Sequence, residues 1–78
     1  MVIDSIDKAI TAIKNGNNDE AKKFLFQTVS SLEGKKDLIN SEKRIEASLR
    51  EIKDGDYNSA IMHAEEAKRI YNNFIIYF

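Results

Sequence analysis

Few side chains in this chain of 78 residues are equipped for chemistry. There is one histidine, His63, and no cysteine, so neither a thiolate metal site nor an imidazole cluster can be assembled. Asn58, rather than an arginine, precedes His63 by five positions, so the arginine-histidine pairing of helical ribonucleases is absent. On a helix, His63 falls beside Ala60, Ala64 and Ala67, where a lone imidazole is a partly exposed packing residue. Asp54 and Asp56 flank Gly55, a pattern that turn chemistry alone explains. With no Ser-His-acid set, paired carboxylates or Gly-rich phosphate loop, no catalytic, cofactor-binding or metal-ligating residue is expected.

Two constellations point to contact rather than catalysis. Lys36, Lys43 and Arg50 recur every seven residues, with Lys53 close by, which aligns them along one side of a third helix and could track phosphates. Against that reading, Glu46 precedes Arg50 by four positions and Glu65 precedes Arg69 by four, the favourable order for intrahelical ion pairs on a solvated face. The second constellation is the carboxyl terminus, Tyr71, Phe74, Ile75, Ile76, Tyr77 and Phe78. One helix face cannot bury them all, and an exposed uncharged run of this kind is an aggregation hazard. Either the segment caps its own helices or a second subunit or partner covers it.

Composition narrows the class further. A formal net charge of −1, from 12 basic and 13 acidic side chains, lacks the basic excess of a general nucleic-acid binder. No run approaches the roughly 20 apolar residues of a membrane span, and the first residues have no signal-peptide core. Absence of cysteine fits a reducing compartment, so the expectation is a soluble cytoplasmic protein without a membrane partner. A chain this short has room for one domain, spanning 1–78, and its core will be small.

The absence of proline and the presence of only 3 glycines favour long helices. Ile3, Ile6, Ile10 and Ile13 share a helical face, predicting helix one from about Asp4, as its cap, to about Asn15. Gly16 makes a turn, and Asn17 with Glu20 has the spacing of a capping box. Ala21, Phe24, Leu25, Thr28 and Leu32 form the inner stripe of helix two, which Gly34 stops. Residues 35–40 are either a linker or the first turn of helix three, whose face carries Leu38, Ile45, Leu49 and Ile52. Gly55-Asp56 closes that helix. Helix four carries Tyr57, Ala60, Ile61, Ala64, Ala67, Tyr71, Phe74 and Phe78 on one side.

The two halves repeat one pattern. Ile6, Ile10, Ile13, Gly16 and Ala21 recur as Ile45, Leu49, Ile52, Gly55 and Ala60, each 39 positions later. Repeats at such intervals mark supersecondary units that bury their apolar faces by packing on one another. The run Gly55-Asp56-Tyr57, followed by Ala60 and Ala67, with Ala9 and Ser48 seven residues before the two turn glycines, resembles a tetratricopeptide repeat. That resemblance implies paired antiparallel helices whose small residues permit close approach. Ser5, Ala12, Arg44 and Glu51 stand where the family carries first-helix aromatics, and the interval of 39 exceeds its usual length of about 34.

The expected fold is therefore all-α, two antiparallel helical hairpins (about 4–34 and 38–78), arranged as a tetratricopeptide-like stack or an up-and-down four-helix bundle. The expected function is a non-enzymatic protein-interaction module that self-associates, as a homodimer, through its last helix. The alternative is a small nucleic-acid-associated regulator using Lys36, Lys43, Arg50 and Lys53. Two hairpins are fewer than a stack usually needs, so exposed faces are expected to require cover.

Overall fold

A computed structural model describes residues 2–76, with the backbone alone at Ile76. The described chain is all-α: α1 (Val2–Lys14), α2 (Asn18–Leu32), a short 3₁₀ turn (Lys36–Leu38), α3 (Ile39–Asp54) and α4 (Tyr57–Ile76). Helix α1 starts two residues before the expected Asp4 cap. Asp4 sits instead in its first turn, where a carboxylate still favours the positive end of the helix dipole.

The two hairpin turns are built alike, bond for bond. At the first, Gly16 N–H donates to Ile13 C=O (3.1 Å) and Asn17 N–H to Ala12 C=O (2.9 Å). At the second, Gly55 N–H donates to Ile52 C=O (3.1 Å) and Asp56 N–H to Glu51 C=O (2.8 Å). Both sets close a helix with a left-handed residue, and the glycines hold φ of 75° and 81°. The next residue then caps the following helix: Asn17 Oδ1 accepts from Glu20 N–H, and Asp56 Oδ1 accepts from Ser59 N–H, each at 3.3 Å. The expected capping box is altered in one respect. Because the Asn17 backbone N–H is engaged by Ala12, the Glu20 carboxylate accepts from the Asn17 side-chain amide instead, at 2.6 Å.

Within each hairpin, short side chains line the seam. Ala9 and Ala21 are fully buried in the first, and Ser41, Ser48, Ala60, Ala64 and Ala67 in the second. Ser48 Oγ donates to Ala60 C=O across the helix pair at 2.8 Å, and Ser41 Oγ to Ala67 C=O at 2.9 Å. Each buried hydroxyl is thus satisfied by the neighbouring helix's backbone, which a longer side chain would hold away. Thr28 bonds within its own helix, to Phe24 C=O at 2.9 Å. Ile6, Leu25, Leu32 and Ile45 fill the centre, with Ile10, Ile13, Leu38 and Ile52 around them.

Packing runs around a ring: α1 on α2, α2 on α3, α3 on α4, and α4 back on α1. The two contacts between hairpins are nearly equal in extent and smaller than those within hairpins. Ring closure covers the side faces that a two-hairpin stack would leave open, and it is the contact pattern of an up-and-down bundle. Exchange of α1 with α3 and α2 with α4 maps the ring onto itself. Consistent with this near-twofold relation, Asn18 Nδ2 donates to the hydroxyl of Tyr57, its counterpart 39 residues on, at 2.9 Å. Tyr57 therefore lies at the turn end, 40% exposed, rather than in the inner stripe of α4. Phe24 and Leu49, both placed on inner stripes by the sequence pattern, pack at the margin of the core, half-buried.

Two outcomes test this account. Gly55→Ala meets no neighbouring atom, so its effect isolates the left-handed backbone. It should cost about 1 kcal/mol, seen as a fall of about 4–8 °C in thermal melting. Ala64→Leu, at a fully buried site, should cost about 1–3 kcal/mol by overpacking; a melt matching the parent would show that the α4 register is wrong.

Candidate interaction surface

The start of α1, the end of α4 and the inter-hairpin linker gather at one end of the bundle, opposite the two glycine turns. Three elements meet there for reasons of length. Helix α4 has 20 residues against 13, 15 and 16 for the others, and at ~1.5 Å per residue it is the longest, so that its last turn brings Phe74 and Ile75 to this end. The 3₁₀ turn packs against both α3 and α4, and its Leu38 is buried there. Helix α1 brings its opening residues, Val2 and Ile3, both half-buried.

These elements enclose a shallow groove of about 320 Å³ lined by Val2, Ile3, Leu38, Tyr71 and Ile75, with Ser31 and Lys35 at its polar edge. Lys35 is partly committed, since its Nζ donates to Ser31 C=O at 2.6 Å. Ile75 is 50% exposed and Ile39 43%, so this end presents aliphatic surface to water. Of the six residues singled out in the sequence, Tyr71 and Phe74 pack on the core as half-buried side chains, and Ile75 stands outward. Ile76 ends α4, and Tyr77 and Phe78 lie outside the described residues. Val2, Ile3, Leu38 and Ile39 join the surface only through topology. Their one sequence signal is that each is an apolar pair flanking a helix start.

The basic stripe is arranged otherwise than expected. Lys36 belongs to the 3₁₀ turn, before α3 begins, so the helix itself carries only Lys43, Arg50 and Lys53. All four are exposed, and Glu46 stands exposed between Lys43 and Arg50. Neither Glu46–Arg50 nor Glu65–Arg69 closes as an ion pair among the described residues. Charges pair across helices instead: Arg44 with Glu66 between α3 and α4, and Lys68 Nζ with Asp7 Oδ1, at 2.7 Å, between α4 and α1. Partners on neighbouring helices reach one another without bending along a single helix surface, and they tie the ring's seams. His63 also bridges α3 and α4, its Nδ1 lying 2.7 Å from Glu51 Oε1.

A second groove, about 510 Å³, runs between α1 and α2 past Ala12 and Phe24, with Asp4, Asp7, Lys8 and Glu20 on its rim. Its origin lies in the repeat. Ala12 and Phe24 correspond to Glu51 and His63, the pair that bridges the same position in the second hairpin, and alanine is too short to do so. Lys8 and Lys23 each place Nζ 5.8 Å from the centre of the Phe24 ring, one from either helix.

Among the described residues, no cluster of three or more His, Cys, Asp or Glu side chains gathers to hold a metal ion. No described helix is long and apolar enough to cross a membrane. Division of labour at the apolar end gives a direct test: Phe74→Ala should lower stability by about 1–2 kcal/mol because its ring packs on the core. Ile75→Ser should change it by less than about 0.5 kcal/mol. Chemical denaturation of the two variants would separate the residue that holds the fold from the one that faces outward. Comparison of the chain with protein-family models, with curated proteins and with solved structures finds no match in any of the three.

Proposed function

We propose that this chain is a non-enzymatic protein-interaction module of the cytoplasm that docks through the apolar end of its bundle, and that the partner is a second copy of itself. The observation that supports it is the groove of Val2, Ile3, Tyr71 and Ile75, with Ile75 half exposed, at the end of the bundle where Ile39, also about half exposed, begins α3. Burying an aliphatic side chain of this size contributes roughly 1.5–3 kcal/mol, so several residues on each copy can offset the entropy of association. A twofold axis covers the same patch on both subunits at once. Along the sides the exposed large apolar side chains, Phe26 on α2 and Met62 on α4, stand on separate helices, whereas Val2, Ile3, Tyr71 and Ile75 line one groove at the end.

A second reading is a small nucleic-acid-associated regulator. It rests on Lys36, Lys43, Arg50 and Lys53 being exposed with no ion pair among the described residues. Glu46 within the stripe and the net charge of −1 weigh against it.

Sedimentation of the full chain at high micromolar concentration should show a dimer whose affinity holds or rises with salt. Ile39→Asp combined with Ile75→Asp should weaken it at least about tenfold while leaving the helical content intact, because both sites are exposed and Asp is favourable at the start of α3. A parent chain that stays monomeric would overturn this reading. Binding to a duplex or single-stranded oligonucleotide that falls steeply with salt, and that is lost on reversing Lys43 and Arg50, would favour the second reading.

A further inference from the structure

We infer that the second copy is engaged by exchange of hairpins: each bundle of the dimer is built from α1 and α2 of one chain and α3 and α4 of its partner. The inference rests on the reading above of the apolar end as a self-association surface, and specifies how that surface is brought together.

Each hairpin is held more extensively within itself than to the other. Ser41–Ala67, Ser48–Ala60, Glu51–His63 and Arg44–Glu66 all lie inside the second hairpin, and packing within hairpins exceeds packing between them. The seam between hairpins is mainly apolar, crossed by the side-chain bonds Asn18–Tyr57 and Lys68–Asp7. Every one of these contacts can be remade between two chains, since exchange replaces a hairpin by an identical one.

Opening the connection between the hairpins breaks few bonds, chiefly Lys35 N–H to Leu32 C=O (3.2 Å) and Lys35 Nζ to Ser31 C=O (2.6 Å). Glu33, Gly34, Lys35, Lys36 and Asp37 are all exposed, so extending this segment uncovers little apolar surface. The 3₁₀ turn packs on α3 and α4, so it travels with the second hairpin and the hinge narrows to Glu33–Lys35. At its centre Gly34 holds φ +80°, the left-handed conformation that reverses the chain, and glycine is free to leave it for an extended one.

Position then links the hinge to the exposed surface. The linker lies at the same end of the bundle as Ile39 and Ile75. When it extends, α3 and α4 are carried beyond that end, and the partner bundle assembles there, apolar end facing apolar end. Seam contacts are the same in monomer and dimer and cancel. What exchange must overcome is the effective concentration of two tethered hairpins, of millimolar order for a short connection. What it gains is the new contact between the two ends. Affinity is therefore set by Ile39, Ile75 and their neighbours, although most of the interface is the remade seam.

The test uses the full chain carrying Asp7→Cys and Lys68→Cys, which face each other across the α1–α4 seam and are the chain's only thiols. A short bis-maleimide is added at high micromolar concentration, and the products are resolved under denaturing conditions beside sedimentation of the unmodified protein. Exchange predicts covalent dimers, because the two thiols then belong to different chains. A further deletion of Gly34 and Lys35, with helical content checked by circular dichroism, should raise the covalent dimer at least about tenfold at low concentration, since a shortened hinge cannot reverse the chain. Adding Ile39→Asp and Ile75→Asp to the parent pair should lower it at least about tenfold. Sedimentation as a dimer with cross-links confined to single chains would overturn exchange and leave end-to-end docking standing. A monomer by both measurements would overturn the two together. Covalent dimers insensitive to Ile39→Asp and Ile75→Asp would overturn the apolar end as the source of affinity.

Discussion

Close approach of two helix backbones is the constraint on which the rest of this bundle depends. In the second hairpin it is written in the hydroxyls of Ser41 and Ser48, which reach the backbone carbonyls of Ala67 and Ala60 on the facing helix. No larger side chain fits that gap, so the seam is a run of serine and alanine, and the bulk of the apolar volume is left to a few isoleucines and leucines inside the ring. A chain of this length has little core to spend. Short residues compensate by drawing every helix near its neighbours, so that Ile6, Leu25, Leu32 and Ile45 are all sealed from water. No aromatic ring among the described residues is fully buried; Phe24, Tyr71 and Phe74 pack at the margins, where their size does not force helices apart, and Phe26 is 60% exposed.

The two hairpins share one plan and differ in what they do with the space between their helices. The turns and caps are equivalent down to individual hydrogen bonds, because a left-handed glycine followed by a capping Asn or Asp leaves few other solutions. Side chains on the outer faces are under no such constraint. Glu51 and His63 bridge the second hairpin, whereas Ala12 and Phe24 leave the first one grooved. The same freedom separates the two ends of the bundle. At the turn end, capping groups and the Asn18–Tyr57 bond present polar atoms to water. At the opposite end, the extra length of α4 and the chain's crossing from one hairpin to the other leave aliphatic surface exposed.

The proposed function rests on that polarity of the bundle. The single imidazole is committed to a structural contact between α3 and α4, and the cross-helix ion pairs hold the ring rather than form a charged patch. Exposed pairs of this kind contribute little individually, but they fix which helix lies beside which at small cost in desolvation. Aliphatic surface at one end, beside an exposed connection, is the feature on which the proposed association rests; Phe26 and Met62 are the exposed apolar side chains along the helices.

Periodicity and turn chemistry made the helices, the two glycine turns and the repeat of 39 residues legible in the sequence, because each is decided by neighbours three or four positions apart. Ala60, Ala64 and Ala67 were legible as a packing stripe for the same reason, and all three are fully buried. Distances in sequence could not show what the ring decides. Closure of α4 on α1, the choice of Asp7 for Lys68 and Glu66 for Arg44 over intrahelical partners, and the placing of Lys36 outside α3 depend on long-range packing. Tyr71 and Phe74 read as part of one apolar run with Ile75, yet tertiary structure divides them: helical geometry turns the first two onto the core and Ile75 into water. Val2, Ile3 and Ile39 come to the same end as Ile75 only because an up-and-down arrangement of four helices brings the start of α1, the end of α4 and the central linker to one side. A local pattern names the face of a helix; only the assembled ring determines what that face meets.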